Sequence, residues 1–183
     1  MADSSKLDRS APLIPVGISS CLLGEKVRYD GGHKQDPIVT EILSKHFTFH
    51  SFCPELEIGL GVPRSPIRLT RRDGREIRCV AVDESSIDYT DSLRSCADEQ
   101  GHWHQKLCGY ILKAGSPSCG KERVKVWCGT ASSEDGVGVY AARLMQNYPD
   151  LPVETEDSLA DSGLREAFIQ RVFAAWQQMQ RQG

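Results

Sequence analysis

The sequence predicts an α/β fold on three observations. Short apolar runs typical of buried strands alternate with segments whose apolar residues recur at helical spacing. Gly, Ser or Pro directly follows several of these apolar runs, as expected where strands turn. The length of 183 residues suits one domain with a modest insertion. We therefore expect a Rossmann-like open, mainly parallel sheet with helices on both faces and an inserted antiparallel β-ribbon.

The first third of the chain is predicted to contain a strand, a helix and a second strand. Residues 13–19 form an apolar run that ends in small residues, and we assign the first strand to them. Asp36, followed by a proline, has the residue types of a helix start, and the apolar spacing after it predicts a helix to about residue 45. Residues 47–52 alternate in the manner of a strand.

The centre of the chain carries the predicted insertion. Residues 67–70 and 76–82 flank an Asp-Gly pair, Asp73 and Gly74, which is a hairpin signal. We expect an antiparallel β-ribbon there, inserted at about residues 63–84. A helix is then predicted over residues 88–108.

The last third is predicted to contain strands and helices in alternation. In chain order, we expect a strand at 109–113, a loop or short strand pair around 124–128, a helix at 136–148, a strand at 151–154 and an amphipathic helix at 161–180. Asp161 or Ser162 is the expected cap of the last helix. Its buried stripe should contain Leu164, Phe168, Val172, Ala175, Trp176 and Met179.

Composition and charge exclude several classes of protein. No run of eighteen apolar residues is present, and the polar residues 1–12 lack the apolar region of a secretory signal. We expect these residues to form a disordered leader and residues 13–183 to form a single domain. A net charge of −3 argues against a partner as anionic as long nucleic acid. Seven cysteines without a signal indicate a reducing cytoplasm. We expect a monomer or weak dimer.

Cys21, Cys53 and Cys119 each follow an apolar run and each lie in a turn rich in Ser, Gly or Pro. If those runs are neighbouring parallel strands, the three thiols emerge at one edge of the sheet, where open α/β sheets bind ligands. Three thiolates there suggest a metal or cluster site with one position left for substrate. On spacing alone, small buried core residues are a slightly better explanation.

The other four cysteines are expected to fill the core: Cys79, Cys96, Cys108 and Cys128. A zinc site formed by them is an alternative that no CxxC pair supports.

Other polar residues adjoin the three cysteine turns. Glu55 could activate water or move protons, or it could simply favour the start of a helix. Ser116 and Ser118 could donate to the substrate, or they could stabilise the turn around the proline between them. A substrate phosphate could be bound by cationic side chains near these turns, although each could also be a solvated surface charge. The candidates are Arg28, His33, Arg64 and Lys121. His102 and His104 point in different directions from one helix and are not expected to bind a metal together.

Three sequence motifs together resemble the signature of the thiouracil desulfidase family. They are SSCLLGxxVRYDGG from Ser19, FCPE from Phe52 and KAGSPSCG from Lys113, and the resemblance extends over about residues 14–148. It implies a 4Fe-4S cluster held by Cys21, Cys53 and Cys119, with no protein ligand on the fourth iron.

The resemblance also implies an activity. Members hydrolytically remove sulfur from thiolated uracils (2-thiouracil, 4-thiouracil and 4-thiouridine monophosphate), yielding uracil or UMP and hydrogen sulfide. The substrate sulfur would bind the open iron, and Glu55 with Ser116 or Ser118 would carry the proton transfers. Arg64, Arg28 and Lys121 are the expected phosphate ligands.

Two other functions are compatible with the same cysteines. A non-enzymatic cluster- or metal-binding module, for sensing or structure, would need no substrate pocket and no Glu55. A sulfurtransferase would instead use one cysteine as the nucleophile that forms a persulfide, and Cys119 in its Gly/Ser turn is the candidate.

Overall fold

The computed structural model describes residues 14–71 and 76–182. Within these residues the strands are β1 (Ile14–Ser19), β2 (Phe47–Phe52), β3 (Ile67–Arg71), β4 (Ile77–Ala81), β5 (Gly109–Leu112), β6 (Val124–Cys128), β7 (Ala131–Gly136) and β8 (Val153–Thr155). The α-helices are α1 (Pro54–Glu57), α2 (Thr90–Glu99), α3 (Gly101–His104), α4 (Val139–Asn147) and α5 (Ser162–Gln182). The expected leader at residues 1–12 and the Asp73-Gly74 turn lie outside the described residues.

The central sheet is entirely parallel and has the strand order β2-β1-β5-β8. Helix α5 packs on one face, where Phe168 and Val172 contact the core side chains of β1. Helices α2 and α4 cover the other face through residues such as Ala97 and Tyr140. The predicted parallel sheet with helices on both faces is confirmed.

The inserted region is larger than a ribbon. Strands β3 and β4 pair antiparallel, as predicted, and β3 also pairs in parallel with β6, which in turn pairs antiparallel with β7. The result is a second, mixed sheet of order β4-β3-β6-β7. Its own apolar cluster includes Leu69, Val126 and Leu93 of α2, so this sheet packs beside the parallel one through that helix.

Several predicted helices differ from the structure. The segment expected over residues 88–108 divides into α2 and the single turn α3, with Gly101 beginning the second. The segment that follows Asp36 is a π-helical turn, Ile38–Ile42, continued by a 3₁₀ turn, Leu43–Lys45. Val39 and Leu43 of this segment are buried in the core.

The caps of two helical segments follow the prediction. Asp36 Oδ1 accepts the N–H of Val39 at 3.1 Å, and Asp161 Oδ1 accepts the N–H of Leu164 at 2.9 Å. Leu164 itself was predicted to be buried, and this is wrong: it is 52% exposed. It lies in the first turn of α5. Among the described residues, no helix has the length and apolar character needed to cross a membrane.

Candidate active site

The three candidate cysteines lie beyond the carboxyl ends of neighbouring strands. Cys21 follows β1 in the 3₁₀ turn Ser20–Leu23, Cys53 lies between β2 and α1, and Cys119 lies in the loop after β5. Since β2, β1 and β5 are adjacent and parallel, these loops meet at one edge of the sheet. All three cysteines line one cavity of about 350 Å³. The predicted meeting of the three thiols is confirmed, and their role as ligands stays a prediction.

Burial dominates the acid–base behaviour of these thiols. It raises the pKa of Cys21 to about 11, against the opposing charge of Lys113. It also raises the pKa of Cys53, and it raises that of Cys119 even though the Ser118 hydroxyl stabilises the thiolate. The thiols are therefore protonated near neutral pH, and a metal that binds them as thiolates must displace protons.

The donor set fits an iron–sulfur cluster. Such clusters are held by cysteine thiolates, each on a different iron, so the sulfurs need not converge on one point. Among the residues that the structure describes, no group of three His, Cys, Asp or Glu side chains is arranged to hold a single metal ion. Within the same residues, the cavity is lined by Cys21, Cys53 and Cys119 and by no fourth cysteine.

The other four cysteines lie apart from one another. Cys79, Cys96 and Cys108 are buried in three different apolar clusters, as predicted for core residues. Cys128 is exposed at the end of β6, so its prediction as a core residue is wrong. The alternative of a zinc site built from these four is also wrong, because no three His, Cys, Asp or Glu side chains among the described residues are arranged to hold a metal ion.

Glu55 lies in the first turn of α1 and lines the cavity. Its two carboxylate oxygens have different partners. Oε1 accepts a hydrogen bond from Ser118 Oγ at 2.7 Å, and Oε2 accepts from Arg64 Nε at 2.9 Å and Nη2 at 2.8 Å. The structure thus joins a carboxylate, a hydroxyl and a guanidinium beside the three thiols.

The two candidate serine hydroxyls lie 3.0 Å apart, and their other partners differ. Ser118 is 1% exposed, and its hydroxyl lies 2.7 Å from Glu55 Oε1 and 3.6 Å from Cys119 Sγ. Ser116 Oγ accepts the backbone N–H groups of Ser118 at 3.3 Å and Cys119 at 3.1 Å. Ser116 therefore shapes the turn, and Ser118 links the carboxylate to a thiol.

The candidate cations are divided between the cavity and the surface. Arg28 and Arg64 line the cavity, whereas Lys121 is paired with Glu154 at 2.9 Å outside it. His33 is exposed, does not line the cavity, and accepts the N–H of Gln35 at 3.1 Å. The structure thus brings two of these four residues to the cysteines.

Sequence reasoning missed several cavity residues. Lys34 and Lys113 line the cavity, and Lys113 is ion-paired with Glu156. Tyr29 also lines it while 41% exposed, with the Arg28 guanidinium 5.4 Å from the centre of its ring. Tyr29 and Lys34 reach the cavity through the folding of the loop after Cys21, which residue spacing does not predict, whereas Lys113 directly follows β5.

Comparison with known proteins relates this chain to a family of desulfurising enzymes. Residues 16–156 match the model of the family described as 2-thiouracil desulfurase. The chain is similar to the uncharacterised protein YbbK of Bacillus subtilis (strain 168), at 30% identity over 136 residues, which cover 70% of this chain and 88% of that protein. A solved structure of a [4Fe-4S]-dependent thiouracil desulfidase, TudS, superimposes with a TM-score of 0.63 at 28% identity. That match covers 84% of this chain and 98% of the other.

Proposed function

Because the chain belongs to the 2-thiouracil desulfurase family, we propose that it is a 4Fe-4S-dependent enzyme that hydrolyses the C=S bond of a thiolated uracil. The net reaction exchanges sulfur for oxygen: a thiouracil and water give uracil and hydrogen sulfide. No electron is gained or lost overall, so no external reductant is required. The observation that carries the proposal is the Ser118–Glu55 hydrogen bond in the cavity that the three thiols line.

Cys21, Cys53 and Cys119 would hold the cluster as thiolates at the edge of the parallel sheet. When bound there, the cluster would supply an iron without a protein ligand, a soft Lewis acid suited to a thiocarbonyl sulfur. The two serine-rich turns would fix the positions of Cys119 and Cys21. Ser116 does so by binding the N–H of Cys119, and Ser19 Oγ accepts the N–H of Lys113 at 3.0 Å, joining the ends of β1 and β5.

Glu55 would act as the general base. Its carboxylate takes a proton from water as the water oxygen forms a bond to the ring carbon. The carbon–sulfur bond then breaks, and the departing sulfur takes up two protons to leave as hydrogen sulfide. Both come from the attacking water: one passes by way of Glu55, and the other leaves the added hydroxyl as the ring carbonyl forms. Ser118 is suited to deliver one, because its single hydroxyl hydrogen can be donated either to Glu55 Oε1 or toward sulfur on the side of Cys119. Glu55 then returns the proton through Ser118.

The geometry favours this enzyme over the two alternatives. A sensing or structural module has no use for a carboxylate and a hydroxyl paired inside the cavity. A persulfide-forming sulfurtransferase needs an accessible cysteine of low pKa. Cys119 is 6% exposed, and burial raises its pKa, which is opposite to what a nucleophilic thiol requires.

Arg28 is the cation that we propose for binding a substrate phosphate. Its closest carboxylate is the exposed Asp30, with Nε 3.7 Å from Oδ1, so its guanidinium is only loosely paired. The substrates would then include 4-thiouridine monophosphate as well as free 2-thiouracil and 4-thiouracil.

The proposed function is tested by incubating anaerobically purified protein with each of these three compounds without a reductant. Equal amounts of desulfurised pyrimidine and sulfide are expected. Cluster-loaded protein that releases no sulfide from any of them would overturn the proposal.

A further inference from the structure

Arg64 is tied into the wall of the cavity by each of its side-chain nitrogen atoms. Nε and Nη2 both donate to Glu55 Oε2, and Nη1 donates to the carbonyl oxygen of Gly61 at 2.7 Å. The backbone N–H of Arg64 also donates to the carbonyl of Tyr29 at 2.9 Å. The side chain is 6% exposed and that of Glu55 is 14% exposed. Arg64 thus joins the loop after Cys21 to the helix that carries Glu55.

We infer that Arg64 is a positioning residue that fixes the Glu55 carboxylate for proton transfer, and that it is not a ligand of the substrate phosphate. This inference rests on the proposed role of Glu55 as base. With Oε2 held by two N–H groups, only Oε1 is directed at Ser118, so the carboxylate presents one oxygen in one orientation.

The guanidinium is well suited to this task. Its planar fork can place two donors on one carboxylate and a third on a carbonyl, whereas a lysine ammonium is a point charge on a flexible stem. Without the fork, Glu55 could rotate about its side-chain bonds and lose its alignment with Ser118. A misplacement of about 1 Å in a catalytic group can cost roughly 10²-fold in rate.

A phosphate ligand would require different surroundings. To bind a phosphate, the Arg64 guanidinium would have to share or leave Glu55, and it is nearly inaccessible. Arg28 and Lys34, in contrast, line the cavity without a close ion pair among the described residues. The contacts therefore favour an anion site at Arg28 and Lys34 and a positioning role at Arg64.

The test uses Arg64→Gln, Arg64→Lys, Glu55→Gln and the double variant Arg64→Gln/Glu55→Gln, all prepared anaerobically. For Arg64→Gln we expect kcat to fall about 10²-fold on both thiouracil and thiouridine monophosphate, with KM changed less than about threefold. Arg64→Lys should recover part of kcat, because it keeps the charge but not the fork. In the Glu55→Gln background, loss of Arg64 should lower kcat by less than about threefold, because both residues act through one group. A rise in KM confined to the nucleotide would overturn the inference and make Arg64 a phosphate ligand.

Arg143→Gln is the matched control. Arg143 makes a similar two-bonded pair, with Asp98 at 2.7 and 2.9 Å, on α4 away from the cavity. The kcat and the cluster absorbance of the Arg143→Gln protein should equal those of the wild type. Loss of cluster absorbance in Arg64→Gln and Arg64→Lys, with retention in the control, would also contradict a role limited to Glu55.

Crystal structures of the wild type and of Arg64→Lys test the inference independently of activity. In the variant, we expect the Glu55 carboxylate to turn and its hydrogen bond to Ser118 to be lost or lengthened. An unchanged carboxylate in the variant would overturn the positioning role. Wild-type protein that holds its cluster but releases no sulfide would overturn the proposed function alone, and the crystal structures would still decide how Arg64 acts on Glu55.

Discussion

Ser118 donates its hydroxyl hydrogen to Glu55 Oε1 across 2.7 Å, although 63 positions separate the two residues in the chain. The contact exists because the loops after β2 and β5 meet at the same edge of the parallel sheet. It places a proton acceptor and a proton donor beside the thiol of Cys119. The first two predictions concern this pair.

Glu55→Gln should retain the brown cluster and lose turnover by about 10²- to 10⁴-fold, the usual contribution of general acid–base catalysis. Glutamine preserves the shape and can accept a hydrogen bond from Ser118, but it cannot take up a proton. Glu57→Gln on the same short helix is the control. Glu57 is exposed, and the hydrogen bond that it accepts from Gln100 Nε2 is long, at 3.5 Å. Comparable activity of the two variants would remove Glu55 from the reaction.

Ser118→Ala should lower kcat at least tenfold more than Ser116→Ala does. The first change removes the hydroxyl that links Glu55 to sulfur. The second removes the acceptor for two backbone N–H groups, so we expect a loss of about 1 kcal/mol in stability, visible as a fall in Tm of a few degrees. Steady-state kinetics with thermal melts checks both, and a larger kcat effect at Ser116 would reverse the assignment.

The Arg28→Gln substitution should weaken binding of the nucleotide substrate but not of the free base. If the Arg28 guanidinium binds a phosphate, KM for 4-thiouridine monophosphate should rise about tenfold, because a hydrogen bond to a charged group contributes about 1.5–3 kcal/mol. KM for free 4-thiouracil should be unchanged. Equal rises for both compounds would show that Arg28 acts on the base or on the fold of the loop.

His104 should make the fold less stable in acid. Its ring is buried, with Nε2 2.7 Å from the Tyr140 hydroxyl, and burial lowers the pKa of His104 to about 4. The unfolded chain, with an ordinary histidine pKa near 6.5, therefore binds more protons between these values. Burying His104 in its neutral form therefore costs no stability above about pH 6.5. The free energy of unfolding then decreases as the pH falls from about 6.5 toward about 4.

This pH dependence can be measured as the fall in Tm between pH 7.5 and pH 5. The fall should be smaller for His104→Gln than for the wild type, since glutamine does not titrate. His50→Gln, which removes an exposed imidazole, should behave like the wild type. An equal fall in all three proteins would assign the acid sensitivity to other groups.

The sequence allows the position of the thiols to be predicted because two local patterns agree. Each cysteine lies in a turn rich in Ser, Gly or Pro that follows a strand, and parallel strands bring such turns to one edge. The Glu55–Arg64 pair could not be predicted in this way. The intervening loop reverses through Gly59 and Gly61, both in the left-handed region (φ 86° and 69°), and its path depends on tertiary contacts.

The second sheet was only partly predictable for a related reason. Strand β7 is almost wholly exposed and has the polar sequence Ala-Ser-Ser-Glu-Asp-Gly, so it lacks the alternation that reveals a half-buried strand. It is a strand because its backbone pairs with β6, which its own residue types do not indicate. Gly101 similarly divides a helical pattern whose apolar spacing alone favoured one continuous helix.

We propose that Cys21, Cys53 and Cys119 together hold a cluster on which turnover depends. Iron content and sulfide release, measured in parallel for Cys21→Ser, Cys53→Ser and Cys119→Ser, decide whether this claim holds. Cys128→Ser, at an exposed position, serves as the control. The wild type and control should hold about four irons per chain. Each of the other three variants should lose both the iron and the activity. Turnover by a Cys21→Ser or Cys53→Ser protein that holds no iron would contradict the claim.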